Sequence, residues 1–175
     1  MEKIENEKCP VCQEKKLTLI EDEQDIPYFG KAFIFSMVCS SCGYRVSDVE
    51  ATEPKESCKI EFTVESKKDL NVRVVRSSEG SIKVPQLKMS LEPGVGAEGF
   101  VSNVEGVLQR FKKVLEAERD NTDEEDIRKK AKNLLKKLWK VECGDELLKI
   151  VIEDPSGNSA IISERADVSS LKRKK

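Results

Sequence analysis

The sequence predicts a mostly β protein in which a small cysteine-bearing module precedes a larger β-domain that carries an antiparallel helical hairpin. Three observations lead to this prediction. Apolar and charged residues alternate over 57–92, which is typical of an antiparallel sheet with one solvated face. Over 104–138 the apolar residues follow the period of an amphipathic helix instead. Two closely spaced cysteine pairs lie upstream of both patterns, within residues 9–42.

The four N-terminal cysteines form matched pairs, each with two intervening residues. This spacing lets both thiolates of a tight turn point at one ion, and two such turns complete a tetrahedral shell with zinc–sulfur distances of about 2.3 Å. Because sulfur fills all four positions, the predicted zinc is structural and has no bound water to activate. Two disulfides or a redox-active pair are the alternatives. The predicted ligands of one structural Zn2+ ion are Cys9, Cys12, Cys39 and Cys42.

Residues 1–50 are predicted to form a zinc ribbon around this site. The segment between the cysteine pairs has room for two strands, over 17–20 and 32–38. Gly43 follows the second pair at a place where a positive φ is useful, whereas Gln13 holds the matching place after the first pair. A module this small lacks a sufficient apolar core, so zinc binding should largely determine its folding.

Residues 51–168 are predicted to form the β-domain. A strong turn over 154–158 predicts a β-hairpin between 148–152 and 159–162. We expect these last strands to rejoin the first sheet, so that the helices interrupt the domain instead of following it. The final residues, 169–175, are predicted to be a basic tail.

The helical hairpin is predicted at about 102–142. Capping boxes that begin at Ser102 and Thr122 mark the starts of the two helices. Gly144 can cap the end of the second helix. Because the joint between the helices is short, they should pack in antiparallel fashion.

The sequence lacks a recognisable catalytic constellation. It contains no histidine, which excludes serine–histidine and cysteine–histidine nucleophiles and imidazole-based catalytic zinc. Cys58, in a strand pattern, and Cys143, at a helix end, are predicted to be buried and inert thiols. The glycine-rich segment over 92–100 lacks the Gly-Lys-Ser/Thr ending of a phosphate loop. We therefore predict that the protein is not an enzyme and has no catalytic or cofactor-binding residues besides the zinc ligands.

The charge distribution argues against nucleic acid as the main partner. The chain has 175 residues, and its 31 basic and 33 acidic side chains leave a net charge of −2. Acidic residues are dense over 2–25 and would repel phosphate. The alternative function is nucleic-acid binding by the basic face of the second helix, although such a face is more often simply solvated. Its basic residues are Arg128, Lys129, Lys130, Lys132, Lys136, Lys137 and Lys140.

The apolar stretches of the sequence are short. None approaches the roughly 20 apolar residues that a membrane span requires, and the charged N-terminus has no apolar core. We therefore expect a cytoplasmic protein that does not bind membranes. We also expect it to be a monomer.

Five segments along the chain share motifs with one known family. They are 26–30 (IPYFG), 35–49 (FSMVCSSCGYRVSDV), 84–87 (VPQL), 101–108 (VSNVEGVL) and 154–159 (DPSGNS). Together they resemble the ZPR-type zinc-finger proteins, over nearly the whole chain. The sequence departs from the family at Gln13, where glycine is favoured, and at Ser102 and Asn103, where two threonines are usual. Eukaryotic members are similar to two such modules in tandem, whereas this chain has one and looks like the shorter archaeal form.

The resemblance implies both a fold and a partner. The fold is a four-cysteine ribbon followed by a double-stranded β-helix, a jelly-roll-like domain that bears the helical hairpin. The partner is the translation elongation factor that delivers aminoacyl-tRNA, the GTPase elongation factor one-alpha. The implied role is that of an adaptor or chaperone for this GTPase.

A few aromatic and basic residues near the predicted zinc site are candidates for partner binding. Tyr28 and Phe29 lie inside the ribbon between a proline and a glycine, and an aromatic pair on a loop is typical of an interface anchor. The alternative is that they pack the ribbon against the β-domain. The same two interpretations apply to Tyr44 and Arg45, which stand beside the second cysteine pair.

Overall fold

The computed structural model describes residues 1–26, 30–51 and 55–171. Within them the chain is mostly β and carries two long helices, which confirms the predicted fold class. None of the described helices is long and apolar enough to cross a membrane. The elements are β1 (Glu2–Lys8), β2 (Lys15–Ile26), β3 (Gly30–Cys39), β4 (Arg45–Ala51), β5 (Cys58–Val64), β6 (Arg73–Arg76), β7 (Ser81–Val84), β8 (Met89–Leu91), β9 (Phe100–Asn103), α1 (Val104–Asn121), α2 (Glu125–Cys143), β10 (Leu148–Asp154), β11 (Ala160–Ile161) and β12 (Asp167–Ser170).

The N-terminal sheet is an antiparallel meander in the order β1-β2-β3-β4. The strands predicted over 17–20 and 32–38 lie within β2 and β3, which are both longer than their apolar cores indicate. The sequence does not predict β1, because all of its residues are exposed and no apolar alternation marks it. Its register with β2 shifts between Ile4 and Glu7, where Asn6 has a φ of +63°. Backbone pairing, not burial, therefore holds β1 in the sheet.

The β-domain consists of a five-stranded sheet, β12-β5-β10-β7-β8, and a three-stranded sheet, β11-β6-β9. Side chains from both sheets and both helices join one hydrophobic core, among them Phe62, Val74, Leu108 and Leu138. β10 lies between β5 and β7, although the two helices separate it from them along the chain. The last strands thus rejoin the first sheet, and the helices are an insertion, as predicted.

The predicted β-hairpin over 148–162 is wrong. β10 and β11 lie in different sheets, because β10 pairs with β5 and β7 whereas β11 pairs with β6. The buried carboxylate of Asp154 organises the turn between them, since it accepts hydrogen bonds from the hydroxyls of Ser77 and Ser159 and from the amide of Ser156. These bonds direct the chain across to the other sheet instead of folding it back along β10.

The C-terminal strand β12 forms an edge of the five-stranded sheet. Ser169 and Ser170, which the sequence places in the basic tail, pair with Lys59 and Cys58 of β5. Residues 172–175 lie outside the described part of the chain.

Helix α1 begins one residue later than the predicted capping box requires. Ser102 is part of β9 and pairs with Val74, so it is not the N-cap. Asn103 caps the helix instead, and its side-chain oxygen accepts a hydrogen bond from the amide of Gly106 at 2.8 Å. The strand pairing of Ser102 thus prevails over its local capping preference.

Helix α2 lacks the capping box predicted at Thr122. Its N-cap is Glu124, whose side chain makes no capping bond, and the Thr122 hydroxyl accepts a hydrogen bond from the Glu124 amide at 3.2 Å. At the other end Gly144 adopts a left-handed conformation with a φ of +80° and caps the helix, as predicted. The helices are antiparallel, because Glu142 near the end of α2 pairs with Lys112 in the first half of α1.

A short 3-10 turn, Lys67–Asn71, precedes β6 and contains a buried carboxylate. Asp69 accepts hydrogen bonds from the backbone amides of Glu65 at 2.8 Å and Ser66 at 3.0 Å, and it pairs with the Arg165 guanidinium. Burial raises the pKa of Asp69, but these donors outweigh it and hold the pKa below its ordinary value.

Acid should therefore remove part of the folding stability through Asp69. A carboxyl with a depressed pKa stabilises the fold above its unfolded pKa of about 3.9, and this contribution is lost as the pH falls through the lower, folded value. Between about pH 5 and pH 2, the free energy of unfolding should fall more steeply in the wild type than in Asp69→Asn. Urea titrations of both proteins measure this difference, since zinc loss in acid affects both alike. Parallel pH profiles would contradict the argument.

Candidate metal centre

The two cysteine pairs lie at turns of the ribbon, one between β1 and β2 and the other between β3 and β4. The sulfur atoms of Cys9 and Cys42 are 3.7 Å apart, as are those of Cys12 and Cys39, and all four lie within 4.8 Å of one another. A tetrahedron with zinc–sulfur bonds of about 2.3 Å has edges of about 3.8 Å, so these spacings fit a four-coordinate zinc ion. The four cysteines are thus positioned to hold one zinc ion.

The two turns share one backbone conformation. The Gln13 amide donates to the Cys9 carbonyl, and the Gly43 amide donates to the Cys39 carbonyl, each at 3.0 Å. Both donor residues have a positive φ, +64° at Gln13 and +73° at Gly43. The first turn therefore carries a strain that the glycine in the second turn avoids.

This strain should be measurable. Gly43→Ala should destabilise the zinc-loaded ribbon by about 1 kcal/mol through its backbone alone, because no atom lies within 4 Å of the added Cβ. Gln13→Gly should relieve the strain of the first turn and stabilise by up to about 1 kcal/mol. The midpoint of chelator-induced unfolding compares both variants with the wild type. Identical midpoints in the three proteins would refute the strain argument.

The thiols perturb one another strongly. Backbone hydrogen bonds from Cys42 and Ser41 lower the pKa of Cys39 to about 7. A backbone hydrogen bond at Glu14 lowers the pKa of Cys12, but burial and hydrogen bonds with the other three cysteines raise it to about 12. Four thiolates at this spacing repel one another, and a divalent cation between them removes that repulsion.

A small apolar shell surrounds the sulfur atoms. Cys9 and Cys39 are buried, whereas Cys42 is exposed. The shell is much smaller than the jelly-roll core, so the metal is the main source of order at this end of the ribbon. Its side chains are Leu17, Leu19, Met37 and Tyr44.

The four candidate partner residues do not share one location in the structure. Tyr44 is half-buried in the apolar shell, and its carbonyl accepts a hydrogen bond from the Cys39 amide at 2.8 Å, so it supports the metal site. Arg45 is exposed and lines a cleft between the ribbon and the β-domain. Tyr28 and Phe29 lie outside the described residues.

The two other cysteines are far from the metal site in sequence. Both are free thiols, but they are half-buried and not buried as predicted. Burial and the neighbouring Asp154 carboxylate raise the pKa of Cys58 to about 11, so this thiol stays protonated near neutral pH. This agrees with the prediction that Cys58 is not a nucleophile.

The ribbon is joined to the jelly roll by a small apolar cluster and one close contact. Ala32 and Val49 of the ribbon pack against Val75 of β6, and all three are buried. A Cβ on Gly99 would lie 2.9 Å from the Val49 amide nitrogen, so only glycine allows the backbones to approach this closely. The Ser47 hydroxyl donates to the Gly99 carbonyl at 3.3 Å. These contacts fix the ribbon against the jelly roll.

Sequence reasoning missed the residues that form the cleft at this junction. Arg76, Phe100 and Arg110 come from β6, β9 and α1, and they line the same cleft as Arg45. Because no local motif connects them, only the glycine-rich segment before Phe100 could have indicated a close approach of two backbones there.

Comparison with known proteins agrees with the geometry. The ZPR1 zinc-finger domain model matches residues 3–56, and the ZPR1 jelly-roll domain model matches residues 68–175. A ZPR1-like protein of Methanocaldococcus jannaschii is 43% identical over 94% of this chain and 83% of its own length. One of Pyrococcus horikoshii is 45% identical over 90% of this chain and 72% of its own length.

A eukaryotic relative bears a functional name. The zinc finger chaperone zpr1 of Schizosaccharomyces pombe is 29% identical over 78% of this chain, and the matched region covers 30% of that protein's own length. The two domain models together cover most of the chain, and the four cysteines positioned to hold one zinc ion lie within the first of them. The chain therefore belongs to the ZPR1 zinc-finger family.

Proposed function

We propose that the protein is a zinc-stabilised chaperone or adaptor that binds the GTPase elongation factor one-alpha in the cytoplasm. The closed four-sulfur site carries this proposal, because a zinc ion with no open position orders a binding surface and activates no water. The name of the S. pombe relative, a zinc finger chaperone, supports a protein client. The elongation factor as the client rests on the family resemblance of the sequence.

In the proposed mechanism, zinc orders a binding surface and takes part in no reaction. Zinc fixes the turns of the ribbon, and the cluster of Ala32, Val49 and Val75 fixes the ribbon on the jelly roll. The client then meets a surface that spans both modules. Arg45, at the junction, and Tyr28 and Phe29, beyond the described residues, are the side chains that we propose as client contacts.

Capture of the purified GTPase tests this function. The zinc-loaded protein, immobilised, should retain elongation factor one-alpha, and prior removal of zinc with a chelator should abolish the retention. Re-addition of zinc to the same sample should restore it, which separates metal loss from irreversible damage. If the zinc-loaded protein retains neither the GDP form nor the GTP form of the GTPase, the proposed client is rejected.

The exposed face of α2 favours nucleic-acid binding as a second candidate function. Trp139, the only tryptophan, is 57% exposed, and the helical period places it beside Lys132 and Lys136, which are also exposed. An open indole among lysines suits base stacking next to phosphate. Filter binding of transfer RNA at several salt concentrations tests this function. Sub-micromolar affinity with a steep salt slope that Trp139→Ala reduces would favour it over the first proposal.

A further inference from the structure

A cleft of about 590 Å³ lies at the junction of the ribbon and the jelly roll. Its size is within the range of roughly 300–1,000 Å³ that is usual for ligand sites. Three arginines from three different elements line it: Arg45 from β4, Arg76 from β6 and Arg110 from α1. Their convergence is a product of the tertiary fold.

Arg76 is held rigidly at the base of this cleft. The residue is only 4% exposed. Its Nε donates to the Gly80 carbonyl at 2.7 Å, and its Nη1 donates to the Glu98 carbonyl at 3.0 Å. Among residues 1–26, 30–51 and 55–171, its Nη2 has no hydrogen-bond acceptor. A fixed guanidinium with one unpaired donor group therefore lines the cleft.

A second guanidinium lies over the same aromatic ring as that of Arg76. The Arg110 guanidinium carbon is 4.1 Å from the centroid of the Phe100 ring, and that of Arg76 is 5.6 Å from it. Burial and the positive charge of Arg110 lower the pKa of Arg76, and the nearby carboxylates of Asp154, Asp48 and Glu92 only partly offset the repulsion between the two guanidinium groups. In the described part of the chain, neither Arg110 nor Arg45 pairs with a carboxylate. An anion in the cleft would remove this repulsion.

The lining of the cleft carries one net positive charge. Asp48 and Glu98 line it together with the three guanidinium groups, and the carboxylates of Asp154 and Glu92, which lie outside the lining, also act on Arg76. Both carboxylates already have donors, since Asp48 accepts from the Val49 amide at 2.8 Å and Glu98 accepts from the Ser47 hydroxyl at 3.4 Å. Their negative charge would repel a doubly charged phosphate more than a singly charged carboxylate.

We propose that this cleft binds a carboxylate side chain from an acidic segment of the protein client. The unpaired Nη2 of Arg76 and the planar fork of Arg110 match a carboxylate in charge and in hydrogen-bond donors, and the ring of Phe100, which both guanidinium groups contact, adds apolar surface to the cleft. Arg45 forms the ribbon side of the cleft three residues after the ligand Cys42, so the metal indirectly positions one wall. The inference rests on the proposed function in one respect, because it takes the carboxylate to come from a protein client.

The test follows the arginine Nε–H signals by nuclear magnetic resonance in the zinc-loaded full chain. The probes are a capped hexaglutamate peptide, a capped hexaglutamine peptide and inorganic phosphate. Hexaglutamate should shift the Arg76 and Arg110 signals to saturation, whereas hexaglutamine should not, and phosphate should bind more weakly. Arg110→Gln should weaken hexaglutamate binding at least about tenfold, because it removes a charge-assisted hydrogen bond.

Matched variants keep the proposal falsifiable. Arg119→Gln removes the same charge from the opposite face of α1 and should leave the peptide affinity unchanged. Arg45→Gln removes a positive charge from the ribbon side of the cleft and provides a second test in case Arg110→Gln disturbs the fold. Hexaglutamate binding that survives both cleft variants, equal binding of hexaglutamine, or tighter binding of phosphate than of hexaglutamate would overturn the proposal.

The same variants distinguish this proposal from the proposed client. If the wild type binds hexaglutamate but not the elongation factor, the cleft assignment stands and the client is wrong. If the wild type retains the elongation factor and both Arg110→Gln and Arg45→Gln retain it equally well, the client stands and the cleft assignment is wrong.

Discussion

Replacing Cys39 by serine should release the zinc ion and unfold the ribbon while the jelly roll stays folded. Cys39 is 1% exposed and is one of the four cysteines positioned to hold the zinc ion. Structural zinc contributes on the order of 10–16 kcal/mol to the folding of such modules. The apolar shell of the site is far too small to replace that contribution, whereas the jelly roll has a separate and much larger core.

Metal analysis measures the expected loss of zinc, and circular dichroism measures the expected unfolding of the ribbon. Cys39→Ser should hold no stoichiometric zinc, should keep a cooperative unfolding transition from the jelly roll, and should retain no elongation factor. Cys143→Ser is the matched control, because it makes the same chemical change outside the metal site and should behave as the wild type does. Undiminished capture of the GTPase by Cys39→Ser would count against a zinc-ordered binding surface.

The largest effect on the jelly roll is expected from Asp154→Ala. The Asp154 carboxylate is completely buried and accepts hydrogen bonds from the Ser77 hydroxyl at 2.7 Å and the Ser156 amide at 2.8 Å, as well as from the Ser159 hydroxyl. Alanine leaves these donors without an acceptor in a dry interior, which should cost about 3 kcal/mol. The melting temperature should fall by about 10 °C as a result.

Two further variants define the cause of this loss. Asp154→Asn keeps the shape but replaces one acceptor oxygen by a donor, so it should recover only part of the stability. Asp167→Ala removes an exposed carboxylate from β12 and should change the melting temperature by less than about 1 °C. Calorimetry of the zinc-loaded proteins compares all of them, and a wild-type melting temperature for Asp154→Ala would refute the role of the cluster.

Features that depend on short stretches of sequence were predictable. The ligand spacing of the cysteine pairs, the positive φ at Gly43 and the left-handed cap at Gly144 are each set by a few adjacent residues. The two helices were also predictable, because an apolar stripe of this length has few other interpretations.

Features that depend on contacts between distant parts of the chain were not predictable from the sequence. The turn after β10 has strong hairpin residues, but Ser77, far away in the chain, helps to set its direction through Asp154. Ser102 is a good N-cap by type, yet its pairing with Val74 keeps it in β9. The arginines of the junction cleft share no motif because they belong to three separate elements. In each case a tertiary contact outweighs the local preference.

The charged first strand has a consequence for self-association. Among the described strands β1 pairs only with β2, so another polypeptide could extend the amides and carbonyls on its outer edge. Lysine and glutamate flank this edge, and the irregularity at Asn6 interrupts its even spacing. An incoming strand would have to desolvate those charges and would find no regular ladder to continue. The exposed edge of β1 is thereby kept from becoming a template for aggregation.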